Sequence, residues 1–322
     1  MKNKTIKVLA TIVVVLLFGA CEESDNEFFG SWTAQETVSS NWLQGVCFNN
    51  ATQGWIVGWN NTLFSTVDGG VTWNEKSINS MSSFHFYDVA FADDNNGCIV
   101  GQANSEPVGG VIFTTDNGGA TWNALDVFSD MQIIRSISFA DAQNGWAVGG
   151  DGVILHTSDA GKTWQQQSSG TTASFYNVHS TDRGNVWVCG AGGTIRYSSD
   201  GGQSWISQNT VDAWINDIFF IDPDHGWAVT AGGESKILAT KDGGQNWEVQ
   251  YIGDLEYLNS INFTSQNKGW ACGESGVMYY TNDGTNWQKK NAPSADEIND
   301  LFFVSENNGW AVGYNGYMIH FE

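Results

Sequence analysis

Residues 66–73 read Thr66-Val67-Asp68-Gly69-Gly70-Val71-Thr72-Trp73, and versions of this stretch recur along the whole chain. The aspartate can accept backbone N–H bonds, the glycines tolerate positive φ, and the tryptophan can pack back over a sheet. The stretch therefore predicts a tight turn between two antiparallel strands. Its further copies run from Thr157 to Trp164, Ser198 to Trp205 and Thr240 to Trp247, with a one-residue insertion in Thr114 to Trp122 and a one-residue deletion in Thr281 to Trp287.

A second motif, Gly-Trp-Ala-Val-Gly in its fullest form, accompanies these turns. Its seven copies, two of them variant, begin at Gly54, Gly97, Gly145, Asn185, Gly226, Gly269 and Gly309. Measured at the tryptophan position, they are spaced 43, 48, 41, 40, 43 and 40 residues apart. Each unit opens with an alternating apolar segment such as Val46-Cys47-Phe48, which is typical of a strand. Repetition at this period indicates the blades of a propeller. We predict an all-β fold, a seven-bladed β-propeller with four-stranded blades.

The two ends of the sequence predict how the ring closes. The seventh unit stops at Glu322, after its third strand and without a turn stretch. Trp32 lies 41 residues before Trp73, the same spacing that separates the turn tryptophans Trp164 and Trp205. We therefore expect the N-terminal strand to complete the last blade and to cover two sheet edges that would otherwise be exposed.

The turn stretch resembles the Asp-box, or BNR, repeat of sialidases, sortilins and xyloglucanases. Its pairing with the Gly-Trp motif resembles most closely the photosystem II assembly factor family. The resemblance implies a protein-binding scaffold, although that family carries a basic patch and this chain has only three arginines. Because the box is mainly a structural turn in these families, the resemblance also implies structural roles for Asp68, Asp116, Asp159, Asp200, Asp242 and Asp283.

The N-terminus has the pattern of an export signal. Three lysines precede an apolar run from Val8 to Phe18, which is too short to span a membrane. The following Phe18-Gly19-Ala20-Cys21 resembles the lipobox of bacterial lipoproteins, in which the cysteine is acylated; the alternative is an ordinary signal with a chance cysteine. We predict a signal peptide over 1–20, an acidic tether over 21–28, a propeller over 29–322, and lipid anchoring at Cys21 in the outer membrane or at the cell surface.

Charge and cysteine usage narrow the classes of partner. Removal of residues 1–20 deletes three lysines and no acids, so 35 acids and 10 bases remain and the formal charge becomes −25. Such a body repels phosphate backbones, so we expect no nucleic-acid partner and membrane contact only through the lipid anchor. The scattered cysteines predict neither a metal site nor a disulfide framework. We expect a monomer without cofactors.

Some large side chains depart from the repeat and predict a binding surface. The register two residues before each first-strand anchor is polar or amphipathic and predicts the lining of a channel mouth; it holds Gln44, Tyr87, Arg135, Tyr176, Asn216, Asn259 and Asn299. Tryptophans outside the two repeat positions fall on the same predicted face. Aromatic groups beside polar ones suit sugars or peptides. The predicted binding residues are Trp42, Trp59, Tyr87, Arg135, Tyr176 and Trp214.

Three functional classes compete at this point. The favoured one is a non-catalytic cell-envelope lipoprotein that acts as a protein-interaction or assembly scaffold. A surface glycan-binding module is the first alternative. A glycoside hydrolase of the Asp-box type is the second, because Asp88, Asp217 and Asp300 precede first-strand anchors and such enzymes use paired carboxylates. A sialidase is disfavoured because sialidases resemble one another in having six blades and an arginine triad, whereas this chain has seven repeat units and only three arginines in total.

Overall fold

The computed structural model describes residues 30–78, 82–105, 108–128, 133–208, 211–253 and 256–322. It contains seven antiparallel sheets of four strands each, which confirms the predicted seven-bladed β-propeller. Within these ranges, none of the helices has the length and apolar character needed to cross a membrane. The predicted signal peptide, the tether and Cys21 lie outside the described residues, so these assignments stay predictions.

Strands in the first four blades follow chain order from the channel outward. Blade 1 comprises β2 (Leu43–Phe48), β3 (Gly54–Gly58), β4 (Leu63–Thr66) and β5 (Asn74–Glu75). Blade 2 comprises β6 (Phe84–Phe91), β7 (Gly97–Ala103), β8 (Gly109–Thr115) and β9 (Asn123–Phe128). Blade 3 comprises β10 (Ile134–Phe139), β11 (Gly145–Gly149), β12 (Ile154–Thr157) and β13 (Gln165–Gln167). Blade 4 comprises β14 (Phe175–Ser180), β15 (Val186–Gly190), β16 (Ile195–Ser198) and β17 (Ile206–Gln208).

The remaining blades complete the ring. Blade 5 comprises β18 (Trp214–Phe220), β19 (Gly226–Ala231), β20 (Lys236–Thr240) and β21 (Glu248–Ile252). Blade 6 comprises β22 (Leu258–Phe263), β23 (Gly269–Gly273), β24 (Val277–Thr281) and β25 (Gln288–Asn291). Blade 7 comprises β26 (Ile298–Ser305), β27 (Asn308–Gly313), β28 (Met318–Phe321) and β1 (Trp32–Ala34). Short 3-10 turns lie at Gly150–Gly152, Ala191–Gly193, Glu274–Gly276 and Tyr314–Gly316.

The N-terminal strand closes the ring as predicted. Trp32 pairs with Phe321 in the β1–β28 ladder, and the Ser31 nitrogen donates to the Glu322 carbonyl at 3.0 Å. The turns between second and third strands define the mouth face, and the Asp-box turns define the opposite box face. Because β28 runs from Tyr314 on the mouth face toward the box face, the antiparallel β1 enters the ring at the box face.

A glycine before each motif tryptophan makes room for a phenylalanine of the first strand. A Cβ on Gly54 would lie 2.6 Å from the Phe48 ring, so any larger residue would push that ring off the sheet. Blade 4 has Val186 instead of this glycine. The residue paired with it is Ser180 rather than phenylalanine, so the small and large residues exchange sides and the space stays filled.

The motif tryptophans join their blades to the next blade, and in blade 2 Cys98 occupies the same position. The Trp55 indole stacks on Phe91 of blade 2 with ring centroids 3.8 Å apart, and Trp227 stacks on Phe263 of blade 6 at 3.6 Å. The box turn of the following blade packs against the same indole: a Cβ on Gly119 would lie 2.4 Å from Trp55 Nε1. The two sequence motifs are therefore two halves of one interface between blades.

Each Asp-box is held by hydrogen bonds within the turn. Thr66 Oγ1 donates to Asp68 Oδ1 at 2.7 Å and accepts from the Gly70 nitrogen at 2.9 Å. Thr72 donates its nitrogen and its hydroxyl to the two Asp68 oxygens at 2.9 and 2.6 Å. These bonds from Thr72 lower the pKa of Asp68 to about 2. Gly70 has φ +90°, which favours glycine.

The box of blade 2 corrects the alignment proposed from the sequence. Asn117, not Asp116, occupies the box position: Thr115 Oγ1 donates to Asn117 Oδ1 at 2.9 Å, and the Thr121 nitrogen donates to the same oxygen at 3.0 Å. The box therefore runs over eight residues from Thr115 without an insertion. Asp116 is exposed beside the turn. Because Thr114 and Thr115 are both threonine, a box that starts at either residue is compatible with the sequence.

This correction predicts different outcomes for two aspartates. Replacement of Asp159 by alanine removes the acceptor for the Thr157 and Thr163 donors, and we expect a loss of about 1–2 kcal/mol in the free energy of unfolding. Asp116→Ala should leave stability unchanged. Asn117→Asp should be tolerated, because Thr121 can donate its hydroxyl as the other box residues do. Urea denaturation measures all three; equal losses for D159A and D116A would contradict the assignment.

Candidate binding site at the channel mouth

A β-bulge near the start of every first strand shapes the channel. The pairing between first and second strands skips one residue in each of the seven blades, for example Gln44 between Leu43 and Gly45. A bulge re-aims side chains, so two consecutive residues of each first strand line the channel instead of one. The skipped residues are the predicted polar register: Gln44, Tyr87, Arg135, Tyr176, Asn216, Asn259 and Asn299.

A cavity of about 680 Å³ opens on the mouth face at the entrance to the channel. It lies within the usual size range of small-ligand sites. All six residues predicted to form a binding surface contribute to its lining, namely Trp42, Trp59, Tyr87, Arg135, Tyr176 and Trp214. The structure thus brings together side chains from five blades. Their role in binding stays a prediction.

Four aromatic rings form a continuous stack along one wall of the mouth. Trp42 lies between Tyr314 of blade 7, at a centroid distance of 4.0 Å and 13° between planes, and Trp59, at 4.1 Å and 37°. Trp59 in turn contacts the His85 ring of blade 2 at 4.4 Å. Both faces of the Trp42 indole are therefore covered, and the stack is a wall that spans three blades.

The adjoining part of the mouth, on blades 2 to 4, holds an arginine between two tyrosines. The Arg135 guanidinium carbon lies 5.8 Å from the Tyr87 ring centroid and 5.3 Å from that of Tyr176. Arg135 Nε is buried and makes no hydrogen bond within the described part of the chain. The rings fix the guanidinium by cation–π contacts. Its position suits a carboxylate or carbonyl oxygen of a bound molecule.

Three asparagines on the remaining side of the ring connect neighbouring blades. Asn299 Nδ2 donates to the Leu43 carbonyl at 2.7 Å and so joins blade 7 to blade 1. Asn216 and Asn259 donate in the same way to the carbonyls of Leu258 and Ile298. Their amide nitrogens are engaged in structure, so this part of the predicted register has a structural use.

Three buried carboxyl groups lie deeper in the channel and also join blades. Asp217 accepts from the Ile218 nitrogen on its own strand and from the Ile261 nitrogen on the next blade, both at 2.8 Å. The equivalent bonds between blades join Asp88 to Ile137 and Asp300 to Val46. Burial raises the pKa of Asp88 and of Asp217 to about 7 and that of Asp300 to about 6.

These bonds weigh against the glycosidase alternative. A glycosidase needs two carboxyl groups that flank the scissile bond and are free to exchange protons with it. Asp217 Oδ1 accepts a hydrogen bond from the Ile218 nitrogen, and Oδ2 accepts one from the Ile261 nitrogen. Both carboxyl oxygens are therefore engaged by backbone N–H groups. Asp88 and Asp300 share this arrangement. We therefore interpret the raised pKa values as a consequence of burial at a blade junction.

Other chemistry has little support in the described residues. They contain no group of three or more histidine, cysteine, aspartate or glutamate side chains that could hold a metal ion. Cys47, Cys98, Cys189 and Cys272 are buried and unbonded to one another. Arg183 pairs with Asp141 at 2.5 Å near the box face, so it does not join Arg135 at the mouth.

The structure adds lining residues that the sequence reasoning missed. They are His85 in the aromatic stack and Tyr257, Glu297 and Tyr314 in the cavity wall. His85, Tyr257 and Glu297 occupy the register of Trp42, four residues before a first-strand anchor, and Tyr314 occupies that of Trp59. A full comparison of these two registers around the ring would have found them. Burial, above all, raises the pKa of Glu297.

The raised pKa of Asp217 predicts a stability difference that depends on pH. Its protonated form is favoured in the folded state, so the stability that it contributes is present at low pH and is lost as pH rises through about 7. The amide side chain of an Asp217→Asn variant would stay neutral at every pH. The stability gap between wild type and this variant should therefore shrink by about 1 kcal/mol between pH 6 and pH 8.

Urea denaturation of both proteins at the two pH values measures this gap. Taking the difference between the two free energies of unfolding cancels the contribution of the histidines, which is the same in both proteins. The exposed Asp94→Asn variant is the control and should show the same gap at each pH. A D217N gap that is independent of pH would show that Asp217 is ionised in the folded protein throughout.

Comparison with known proteins relates this architecture to a family. The family profile described as "Photosynthesis system II assembly factor YCF48" matches residues 25–126, 82–173 and 206–284. Photosystem II assembly protein Ycf48 of Thermosynechococcus vestitus is 25% identical over 263 residues, which cover 68% of this chain and 75% of that protein. Photosystem II assembly lipoprotein Ycf48 of Picosynechococcus is 24% identical over 323 residues and covers 82% and 91%, respectively.

A solved structure agrees in fold. The structure described as "YCF48 bound to D1 peptide" superposes with a TM-score of 0.73 at 22% identity, over 90% of this chain and 96% of that one. This likeness supports the seven-bladed arrangement. The family profile covers most of the chain, and its repeats are the units described above. The chain therefore belongs to the family of the photosystem II assembly factor YCF48.

Proposed function

We propose that this protein is a non-catalytic scaffold that binds a peptide segment of a partner protein in the mouth of its channel. The observation that carries the proposal is the cavity of about 680 Å³, in which an aromatic wall adjoins an arginine that lies between two tyrosine rings. Membership of an assembly-factor family supports the scaffold class, and the related structure bound to a D1 peptide supports a peptide as ligand.

The geometry favours a peptide over a glycan. Sugar rings bind by lying on exposed aromatic faces, but both faces of Trp42 are covered by Trp59 and Tyr314. A peptide side chain can instead pack against the edges of such a wall. Trp214 and Tyr257, which are 56% and 39% exposed, are the open aromatic rings of the cavity lining. Because the aromatic wall itself is covered on both faces of Trp42, the glycan-binding alternative has less support.

Arg135 gives the bound segment a polar anchor. It is the one lysine or arginine among the described residues of the cavity lining, and its buried Nε makes no hydrogen bond there. A carboxylate or backbone carbonyl of the segment would complete its hydrogen bonding. The sequence as a whole carries a formal charge of −22. This single cation would therefore fix where an acidic group of the peptide binds in the mouth.

The cellular setting completes the proposal. Relatives in Picosynechococcus and Synechococcus are named lipoproteins, which supports export and a lipid anchor at Cys21. We place the protein in the outer membrane or at the cell surface, as a monomer that assists assembly of an envelope protein complex. The relatives are named for photosystem II assembly, and only the general class of function is carried over here, namely the binding of a partner-protein segment during assembly.

Binding of short synthetic peptides, the D1 sequence among them, tests the mouth directly. Tryptophan fluorescence and isothermal titration would measure affinity for each peptide that binds. Replacement of Trp42 and Tyr87 together by alanine removes the centre of the wall and one side of the arginine clamp. We expect peptide affinity to fall at least tenfold, as is typical of buried aromatic anchors. Arg135→Gln should weaken binding of acidic peptides more than that of neutral ones.

The matched control lies outside the mouth. Ile206, which is 57% exposed on the outer strand of blade 4, should tolerate alanine without a change in affinity. Parallel probing of a glycan array with the same variants separates the alternatives. Peptide affinity that is unchanged in the W42A/Y87A double variant would reject this site. Glycan binding that depends on Trp214 would favour the surface glycan-binding module instead.

A further inference from the structure

The junction between blades 6 and 7 departs from the rule that governs the other blades. Elsewhere a box turn packs on the motif side chain of the preceding blade, which is a tryptophan in every blade except blade 2, where it is Cys98. A Cβ on Gly70 would lie 2.1 Å from the Trp310 ring, and Trp187 Nε1 donates to the Gly243 carbonyl at 3.0 Å. Blade 7 takes its outer strand from the N-terminal segment, so no box turn joins its third and fourth strands.

Other groups take over this position beside Trp270, the motif tryptophan of blade 6. Phe321 pairs with Gly309 where Thr66, the first box residue, pairs with Gly54 in blade 1, so a phenylalanine stands in for the box threonine. The Phe321 ring lies 5.5 Å from Trp270. Trp32 reaches the same indole edge-on at 5.6 Å.

A cavity of about 520 Å³ lies at this junction. Its lining combines aromatic rings with one cation and includes Trp32, Trp270, Tyr280 and Lys290. Gly30 and Ser31, the first described residues of the chain, also form part of the wall. The cavity therefore begins where the described chain begins. It is separate from the mouth, and the proposed function does not use it.

We propose that Phe28 and Phe29, the residues directly before Gly30, dock in this cavity and replace the missing box turn. The connection requires no long reach, because consecutive Cα atoms are about 3.8 Å apart and Gly30 is already in the wall. Phenyl rings pack well edge-to-face against indole and phenol rings. The sequence places two adjacent phenylalanines here and at Phe219-Phe220 and Phe302-Phe303, which lie in first strands.

Charge supports the same occupant. The residues that precede the phenylalanines include Glu22, Glu23, Asp25 and Glu27. Lys290 lines the cavity, with its Nζ 5.5 Å from the Tyr280 ring centroid, and it follows Lys289 in the only adjacent pair of basic residues in the chain. An acidic segment that leaves the cavity past Lys290 would be attracted to it, most strongly at low salt.

The docked pair would strengthen the ladder that closes the ring. β1 has only three residues, so the closing ladder is short. Burial of one or two phenyl rings beside it adds hydrophobic contacts to this short ladder. It would also shorten the free tether to residues 22–27, which span at most about 20 Å when extended.

Photo-crosslinking of the full chain tests where position 29 lies. Phe29 is replaced by benzoylphenylalanine, the protein is irradiated, and the attachment points are mapped by mass spectrometry. We expect intramolecular attachment to the peptides that contain Trp270, Tyr280 or Lys290. The same probe at Ser24 is the control and should attach to these peptides several-fold less. Attachment of position 29 at the mouth, in a second copy, or nowhere would overturn the proposal.

Thermal denaturation of variants provides a second test of the proposal. The double variant F28A/F29A should lower the thermal midpoint by about 2–6 °C, because it removes two rings from the closing blade. The tether variant S24A/N26A should leave the midpoint unchanged. Lys290→Gln should reduce the crosslink yield of position 29 at low salt and have no further effect in 0.5 M salt. An unchanged midpoint in F28A/F29A would also count against docking.

Discussion

The backbone of each first strand is held by side chains of the blade before it. Asp217 bonds to the nitrogen of Ile261, Asn299 bonds to the carbonyl of Leu43, and the other buried acids and asparagines of the channel act alike. The first strands form the wall of the channel and have no neighbouring strand on that side, so their polar groups need partners from elsewhere. Bulges supply them, because they turn two consecutive side chains toward the axis.

The same bulges create the mouth. Where the skipped residue is an asparagine, its amide is used to join blades; where it is Tyr87, Arg135 or Tyr176, the side chain forms part of the cavity wall instead. Contacts between blades and the lining of the mouth thus share one register of the repeat. A change of residue type at a single bulge can turn a position that joins blades into a position on the cavity wall without altering the fold, which suits a family whose members share a propeller at low sequence identity.

Much of the fold could be predicted from the sequence, because the two motifs repeat and each has a physical reason. The glycine before the motif tryptophan accommodates Phe48 or its equivalents, and the box turn packs on the indole of the preceding blade. Even the closing pair of Trp32 and Phe321 followed from spacing. The box of blade 2 was misaligned because Thr114 and Thr115 are both threonine, and only hydrogen bonds distinguish Asn117 from Asp116.

The lining of the mouth cavity was harder to predict in detail. Six of its residues were predicted because they break the repeat, but their contacts depend on neighbours from other blades. The stack of Tyr314 on Trp42 joins residues 272 positions apart, and no local pattern shows that it covers a ring face. The hydrogen bonds of the asparagine amides to the next blade could not be predicted from the sequence either. A strand without a bulge would have placed alternate residues, not consecutive ones, on the channel side.

The direction of β1 sets how the molecule would stand on a surface. The chain enters at the box face, and the channel mouth opens on the other side of the disc. A protein held by its amino end would sit with its acidic turns toward the lipid and its opening toward the aqueous phase. The peptide segment of the proposed function would then reach the mouth without passing between the disc and the bilayer.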